Sequence, residues 1–160
     1  MPPPLNSSQR FYKPIRLAKQ NYLGPRAYFL TLCTHDRIPY FRSSRIAKWL
    51  VESLQQTAIQ HSFTLRVYCL MPDHLHVLLQ GDAPSSDLLS FVKSFKHKTT
   101  FHFRSKTGKT LWQVSFFDHI LRTAEDFSET AEYILLNPVR AGLVQRPHDY
   151  PYSRIFRESR

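Results

Sequence analysis

Two runs of β-favouring residues, Thr64 to Leu70 (TLRVYCL) and His74 to Gln80 (HLHVLLQ), are separated only by Met71-Pro72-Asp73. So short a connection has room for a turn and little else, and the two runs are predicted to pair as an antiparallel hairpin. The second run is apolar except for two histidines one residue apart and its closing glutamine. Side chains alternate faces along a strand, so His74 and His76 share one face while Leu75, Val77 and Leu79 share the other. Two imidazoles on a rigid face are a potential pair of metal ligands. With eight histidines in 160 residues, however, a His-x-His arises readily by chance, and the pair needs partners elsewhere in the chain.

The flanking sequence supplies the other elements. Ala27 to Thr34 (AYFLTLCT), after Gly24-Pro25, is predicted as a first strand. Ser43 or Ser44 can cap a helix to about Gln60, with Ile46, Trp49, Leu50, Ser53 and Leu54 at helical spacing. Ser86 can cap a helix from about Asp87 that turns Leu88, Leu89, Phe91, Val92 and Phe95 inward and Lys93, Lys96 and His97 outward. Helical character fades through KHKTTFHFRSKTGKT, and Trp112 to Phe117 (WQVSFF) is predicted as a short strand. A last helix opens near Ser128 and ends or kinks at Asn137, because a following proline disfavours the α conformation. Strand, helix, two strands, helix, strand is the order of an α+β, ferredoxin-like sandwich: an antiparallel sheet with helices packed on it and the histidine motif on a central strand. One domain over residues 26–155 is expected, preceded by a flexible basic arm over residues 1–25, rich in proline and polar residues.

Charge narrows the partner. The chain carries 22 Lys and Arg against 12 Asp and Glu, a formal +10. No acid lies between Asp87 and Asp118, where Lys93, Lys96, Lys98, Arg104, Lys106 and Lys109 fall, and none between Met1 and Thr34, which holds Arg10, Lys13, Arg16, Lys19 and Arg26. Such clustering suits a polyanion better than scattered solubilising charge. With no long apolar run or lipidation motif, nucleic acid is favoured over a membrane. Phe101, Phe103 and Trp112, interleaved with these charges, are candidates for stacking exposed bases, although each also suits the core. Cys33 and Cys69 are too few for a four-cysteine zinc site; a disulfide between them stays open, but a reduced, cytoplasmic chain is the simpler expectation.

The segment Glu129 to Val144 (ETAEYILLNPVRAGLV) places Tyr133 and Asn137 one helical turn apart on one face, with Ala131, Ile134 and Leu135 available to the core. Tyr133 is equally readable as an amphipathic core tyrosine and Asn137 as a helix C-cap. Taken together, YCLMPDHLHVLLQ, WQVSFFDHILR and AEYILLNPVRAGLV, in that order between about Tyr28 and Ser153, make the chain resemble the single-tyrosine HUH transposases and nucleases, specifically the REP-associated tyrosine transposases.

That resemblance implies a metal-dependent, single-strand DNA endonuclease and strand transferase acting on hairpin-containing, REP-like DNA in transposition. By carry-over, His74, His76 and Asn137 hold a divalent metal and Tyr133 is the nucleophile that forms a 5′-phosphotyrosine link and frees a 3′-hydroxyl. The metal would be Mg²⁺ or Mn²⁺; imidazoles suit Mn²⁺ better, because Mg²⁺ prefers all-oxygen shells. Lys93, Lys96, Lys98, Arg104 and Lys106 would neutralise phosphates, with Arg122 and Arg140 contacting them near the catalytic helix. Asp118 and His119 match a family Asp-His pair; Asp118 either orients a ligand or hydrogen-bonds within the fold, and Asp73 either holds the turn or orients an imidazole. Single-stranded or hairpin DNA is the expected partner, no membrane is expected, and the assembly would be a monomer or homodimer. Two rivals remain: a non-catalytic binder of structured DNA or RNA, and a metal-dependent hydrolase of a small phosphoester, which would leave the basic surface unexplained.

Overall fold

In the computed structural model, residues 18–157 are described; Arg10, Lys13 and Arg16 lie outside them. Five strands, β1 (Ala27–Cys33), β2 (Phe63–Met71), β3 (His74–Gly81), β4 (Phe117–Leu121) and β5 (Ser153–Ile155), form one antiparallel sheet in the order β4-β1-β3-β2-β5. The His-x-His strand is therefore the middle strand, paired along both edges. The hairpin register sets Met71 opposite His74 and Cys69 opposite His76.

Helices cover both faces of the sheet. Helices α1 (Ser44–Gln60) and α2 (Leu88–Thr107) bury Leu50, Leu54, Phe91 and Phe95 against Tyr28, Leu30, Leu75, Val77 and Leu79. On the other face, α3 (Ala124–Arg140) sets Ala131 and Ile134 over Phe29, Val67, Cys69 and Leu78. Period-two alternation explains this division: odd-numbered apolar residues of β3 serve one core and even-numbered ones the other. Both cysteines are buried and unpaired, and burial beneath α3 pushes the Cys69 thiol up to about 12. No helix among the described residues is long and apolar enough to cross a membrane.

Several boundaries differ from the sequence expectation. The cap of α2 is Asp87, whose carboxylate accepts from Leu89 and Ser90 N–H groups, while Ser86 is buried and its hydroxyl donates to the Ser62 carbonyl. The helix continues to Thr107 and stops at Gly108, whose φ of 71° is the left-handed conformation a helix C-terminus favours. Trp112 to Phe117 is not a strand. Trp112 makes one bridge to Thr34 and fills the core, its indole N–H donating to Thr99 Oγ1 at 2.8 Å, and β4 begins only at Phe117. Helix α3 starts at Ala124 under a capping box made by Thr123 and Asp126, and it runs through the buried Pro138 to Arg140 instead of ending at Asn137. The last residues assigned to the arm, Ala18 to Pro25, include Tyr22 at 1% exposure and a bridge from Leu23 to Asp87.

Candidate active site

The strand pleat places Thr31 of β1 directly beside His76, and the 2.8 Å between Thr31 Oγ1 and His76 Nδ1 joins the two side chains. His76 is wholly buried, and its other ring nitrogen, Nε2, has no hydrogen-bond partner. Burial holds the imidazole well below its usual pKa, helped by the positive charges of Arg140 and Arg37, so it is neutral. With the proton on Nδ1 and donated to Thr31, the orphaned Nε2 carries a lone pair, which is the state a metal ligand needs.

His74 is prepared in the same way. Its Nδ1 lies 2.7 Å from Asp73 Oδ1, so that an N–H donated to the carboxylate leaves the lone pair on Nε2. Asp73 is itself gripped by Arg37, whose Nε donates to Oδ2 at 2.9 Å. Burial alone would raise the Asp73 carboxyl, but the hydrogen bond from His74, with the charge of Arg37, holds it below the usual carboxylate range. The turn carrying Asp73 is tied down by the chain leaving β1: the Thr34 N–H donates to the Asp73 carbonyl at 2.9 Å and the Phe41 N–H to the Pro72 carbonyl at 3.0 Å. Asp36 and Arg37 themselves sit at positive φ, 51° and 56°, a conformation that costs about 1 kcal/mol each or more and is retained here beside the site.

The imidazoles of His74 and His76 have centroids 4.6 Å apart. From the covering helix, the Tyr133 ring stands 5.8 Å from the His76 ring and edge-on to Phe29 at 6.1 Å. The Arg140 guanidinium lies 4.4 Å above the Tyr133 ring and also donates to the Tyr133 carbonyl. Asn137 is half-buried one turn beyond Tyr133 on α3. One chain therefore brings Tyr133, His74, His76 and Arg140 together.

The histidines do not face open solvent. They lie on the face that α3 covers, with His74 at 8% exposure and His76 at 0%, reached beside the helix that carries Tyr133. Among the described residues no group of three His, Cys, Asp or Glu side chains is placed to hold a metal, so a further ligand would come from another donor, such as the Asn137 amide.

Other sequence candidates are dispersed. Asp118 pairs with Leu30 across β4 and β1 and so sits on the face opposite the histidines, which removes it as a ligand or as an orienting partner. His119 shares the histidine face but lies exposed on the edge strand. Phe103 and Trp112 are core residues at 3% and 4% exposure, unavailable for base stacking, whereas Phe101 is exposed. Lys93, Lys96, Lys98, Arg104 and Lys106 ride on α2, across the sheet from Tyr133; Lys96 donates to the Gln113 and Val114 carbonyls and Lys98 to the Gln60 side chain. Arg122 flanks the start of α3. Sequence reasoning missed Thr31 and Arg37. Thr31 had one signal, a polar residue interrupting an apolar strand; Arg37 had none, because Asp73 and His74, the residues that tie it to the site, lie 36 and 37 residues away.

A family model described as "Transposase IS200 like" matches residues 26–136. The chain is 30% identical over 144 residues to the REP-associated tyrosine transposase of Escherichia coli K12, covering 88% of this chain and 82% of that protein. It is 28% identical over 144 residues, 82% of this chain and 80% of the relative, to a Haemophilus influenzae protein provisionally given the same name. Its fold superposes with a TM-score of 0.74, at 22% identity and over 87% of this chain and 82% of the other, on a REP-associated tyrosine transposase bound to a REP hairpin. A paired-histidine strand covered by a tyrosine-bearing helix, together with these matches over most of the chain, places the protein among the REP-associated tyrosine transposases of the IS200-like family.

Proposed function

We propose that this transposase is a metal-dependent single-strand DNA endonuclease and strand transferase with Tyr133 as nucleophile. The observation that carries the reading is the Tyr133 ring packed beside His76, whose buried Nε2 has no hydrogen-bond partner among the described residues. The Tyr133 oxygen attacks a backbone phosphorus, the bond from phosphorus to the 3′-oxygen breaks, and the 3′-oxygen leaves with a proton as a hydroxyl. The product is a 5′-phosphotyrosine. Because one phosphodiester replaces another, the step reverses without an external energy source, and a second 3′-hydroxyl can take the strand. Arg140, stacked on the nucleophile's ring, places positive charge where the phosphate must sit.

His74 and His76 would hold a divalent ion, Mg²⁺ or Mn²⁺, through their Nε2 atoms, with the Asn137 amide oxygen as a third protein ligand. Such an ion supplies positive charge to the scissile phosphate while it is bound. Asp73 and Thr31 orient the two imidazoles, and Arg37 holds Asp73 in place. The hairpin held by the similarly folded transposase supports hairpin DNA as the substrate, in a cytoplasmic protein; Tyr133 beside the histidines of its own chain supports a monomer acting in cis.

The test incubates the protein with labelled hairpin-bearing single-stranded DNA and Mn²⁺ or Mg²⁺ and resolves the products on a denaturing protein gel. A slow-migrating covalent adduct is expected, abolished by chelator and by Tyr133→Phe. An adduct that persists in Tyr133→Phe would refute the nucleophile assignment, and tight binding with no adduct under any divalent ion would favour a non-catalytic binder.

A further inference from the structure

The segment leading into β4 takes no part in the chemistry at Tyr133, yet one of its side chains is set on the face of the paired histidines. Phe117 pairs with Thr31, so an unbroken ladder would bring Ser115 opposite Cys33. The residue there is Gln113: Trp112 bridges to Thr34, and the Gln113 N–H donates to the Cys33 carbonyl at 2.9 Å. The chain therefore inserts two extra residues between the two pairings. This bulge turns Phe116 into the core and leaves Val114 outward at 95% exposure.

Pleating fixes the face. Trp112 enters the core beneath α1 and α2, so Gln113, the next residue, belongs to the other side of the sheet. Its partner Cys33 lies on that side too: Cys33 Sγ accepts from Arg37 Nη1 at 3.1 Å, and Arg37 Nη2 lies 3.4 Å from His74 Nδ1. Gln113, Cys33 and His74 thus stand in a row across the histidine face, the outer two roughly 10 Å apart at about 4.8 Å per strand. The bulge is anchored from behind. Lys96 of α2 donates to the Gln113 and Val114 carbonyls at 2.6 and 3.1 Å. Gln113 is therefore held at both its N–H and its carbonyl, while its half-exposed side-chain amide makes no hydrogen bond with a described residue.

We propose that Gln113 reads an unpaired adenine next to the scissile phosphate and that Val114 packs against that nucleotide. The proposal rests on DNA being the substrate. A strand with a phosphate at His74 meets Arg37 next, whose guanidinium touches both His74 and Cys33 and whose side chain is 38% exposed. That charge attracts the backbone and leaves the base to the amide beyond it. A glutamine amide offers a donor and an acceptor side by side, which matches adenine in two hydrogen bonds, whereas guanine presents two acceptors on the same edge. Main-chain groups hold the bulge, so the side chain serves recognition alone and contributes no atom to the reaction.

The test measures binding in the Tyr133→Phe background, with Mn²⁺, to a fluorescein-labelled DNA hairpin whose single-stranded flanks are all thymidine except for one adenine, walked position by position. Adenine at one position is expected to raise affinity about 5-fold or more, as a two-bond base contact does. Gln113→Ala should flatten that rise and leave the slope of log affinity against log salt unchanged between about 50 and 200 mM, because the lost contact is to a base and not to a phosphate. Gln113→Glu, which keeps the volume but only accepts, should move the preference to cytosine at the same position. Val114→Ser should lower affinity for all flanks alike; an unchanged affinity removes the valine from the site. An adenine preference at no position, or one that survives in Gln113→Ala, overturns the proposal. The readout needs no cleavage. A protein that reads the flank through Gln113 but never forms an adduct refutes the nucleophile alone, and one that forms the adduct with no adenine preference keeps its chemistry and loses this contact.

Discussion

Each histidine is held at Nδ1 by a neighbour chosen for that nitrogen: a hydroxyl for His76 and a carboxylate for His74. Both arrangements leave the remaining lone pair on Nε2, and both partners are set by register or by a clamped turn. Thr31→Val keeps the shape of the side chain and removes its oxygen, leaving a buried imidazole N–H without a partner. We expect a loss of about 1–3 kcal/mol in denaturant melts and roughly 10- to 100-fold weaker Mn²⁺ binding by calorimetry. Undiminished Mn²⁺ affinity would show that the hydroxyl does not orient the ligand. Of the candidate site, His74, His76, Tyr133 and Asn137 stood out in the sequence because each sits in a short local pattern. Thr31 and Arg37 become meaningful only once β1 is laid beside β3, and one residue's sequence neighbours carry no record of a cross-strand partner.

At the level of elements, α1, β2 and β3 were legible to within a residue or two, since their apolar periodicity and caps agree. The end of α2 was not. Its last turns are filled with Thr99, Ser105 and Thr107, residues that weaken a helical reading, yet each hydroxyl donates back to a carbonyl three or four residues earlier, Thr99 to Phe95 at 2.7 Å and Thr107 to Phe103 at 2.8 Å. The aromatic run WQVSFF carried strand propensity that tertiary packing overrode, because Trp112 is drawn into the core between Phe41 and Phe95. Thr99 links these two misread segments by accepting the Trp112 N–H. Thr99→Val should therefore cost about 1–3 kcal/mol in chemical denaturation by stranding a buried donor, whereas Thr99→Val combined with Trp112→Phe should recover part of the loss. An additive double variant would mean that the bond does not couple them. Pro138 was misjudged for a related reason: its preference acts on the preceding residue, but burial of α3 against the sheet holds Asn137 helical.

For the molecule as a whole, basic side chains among the described residues lie on both sides of one sheet. Arg26, Arg66, Arg122 and Arg140 border the face that carries Tyr133, while the lysines and arginine of α2 look the other way. A strand seated at Tyr133 can meet α2 only by passing around a sheet edge. Converting Lys93, Lys98, Arg104 and Lys106 to Gln should thus weaken encounter and non-specific binding in a salt-dependent manner. It should leave the single-turnover cleavage rate at saturating DNA within about 2-fold, whereas Arg140→Gln should lower that rate about 10-fold or more. A comparable rate loss in the α2 variant would mean that the DNA engages both faces during the reaction. The sum of charges was readable from composition; its division was not, because it depends on which side of β3 each helix crosses.

The layering over β2 also gives the protein a chemical clock. Cys69 is buried beneath α3, and a thiol whose pKa stands near 12 offers almost no thiolate at neutral pH. While the helix is seated, an alkylating reagent has neither access nor a reactive partner there, so the rate at which Cys69 becomes labelled reads how often the helix bearing Tyr133 lifts from the sheet. A strand covalently held by Tyr133 would turn that same thiol into a record of whether the helix stays down between breaking one phosphodiester and sealing the next.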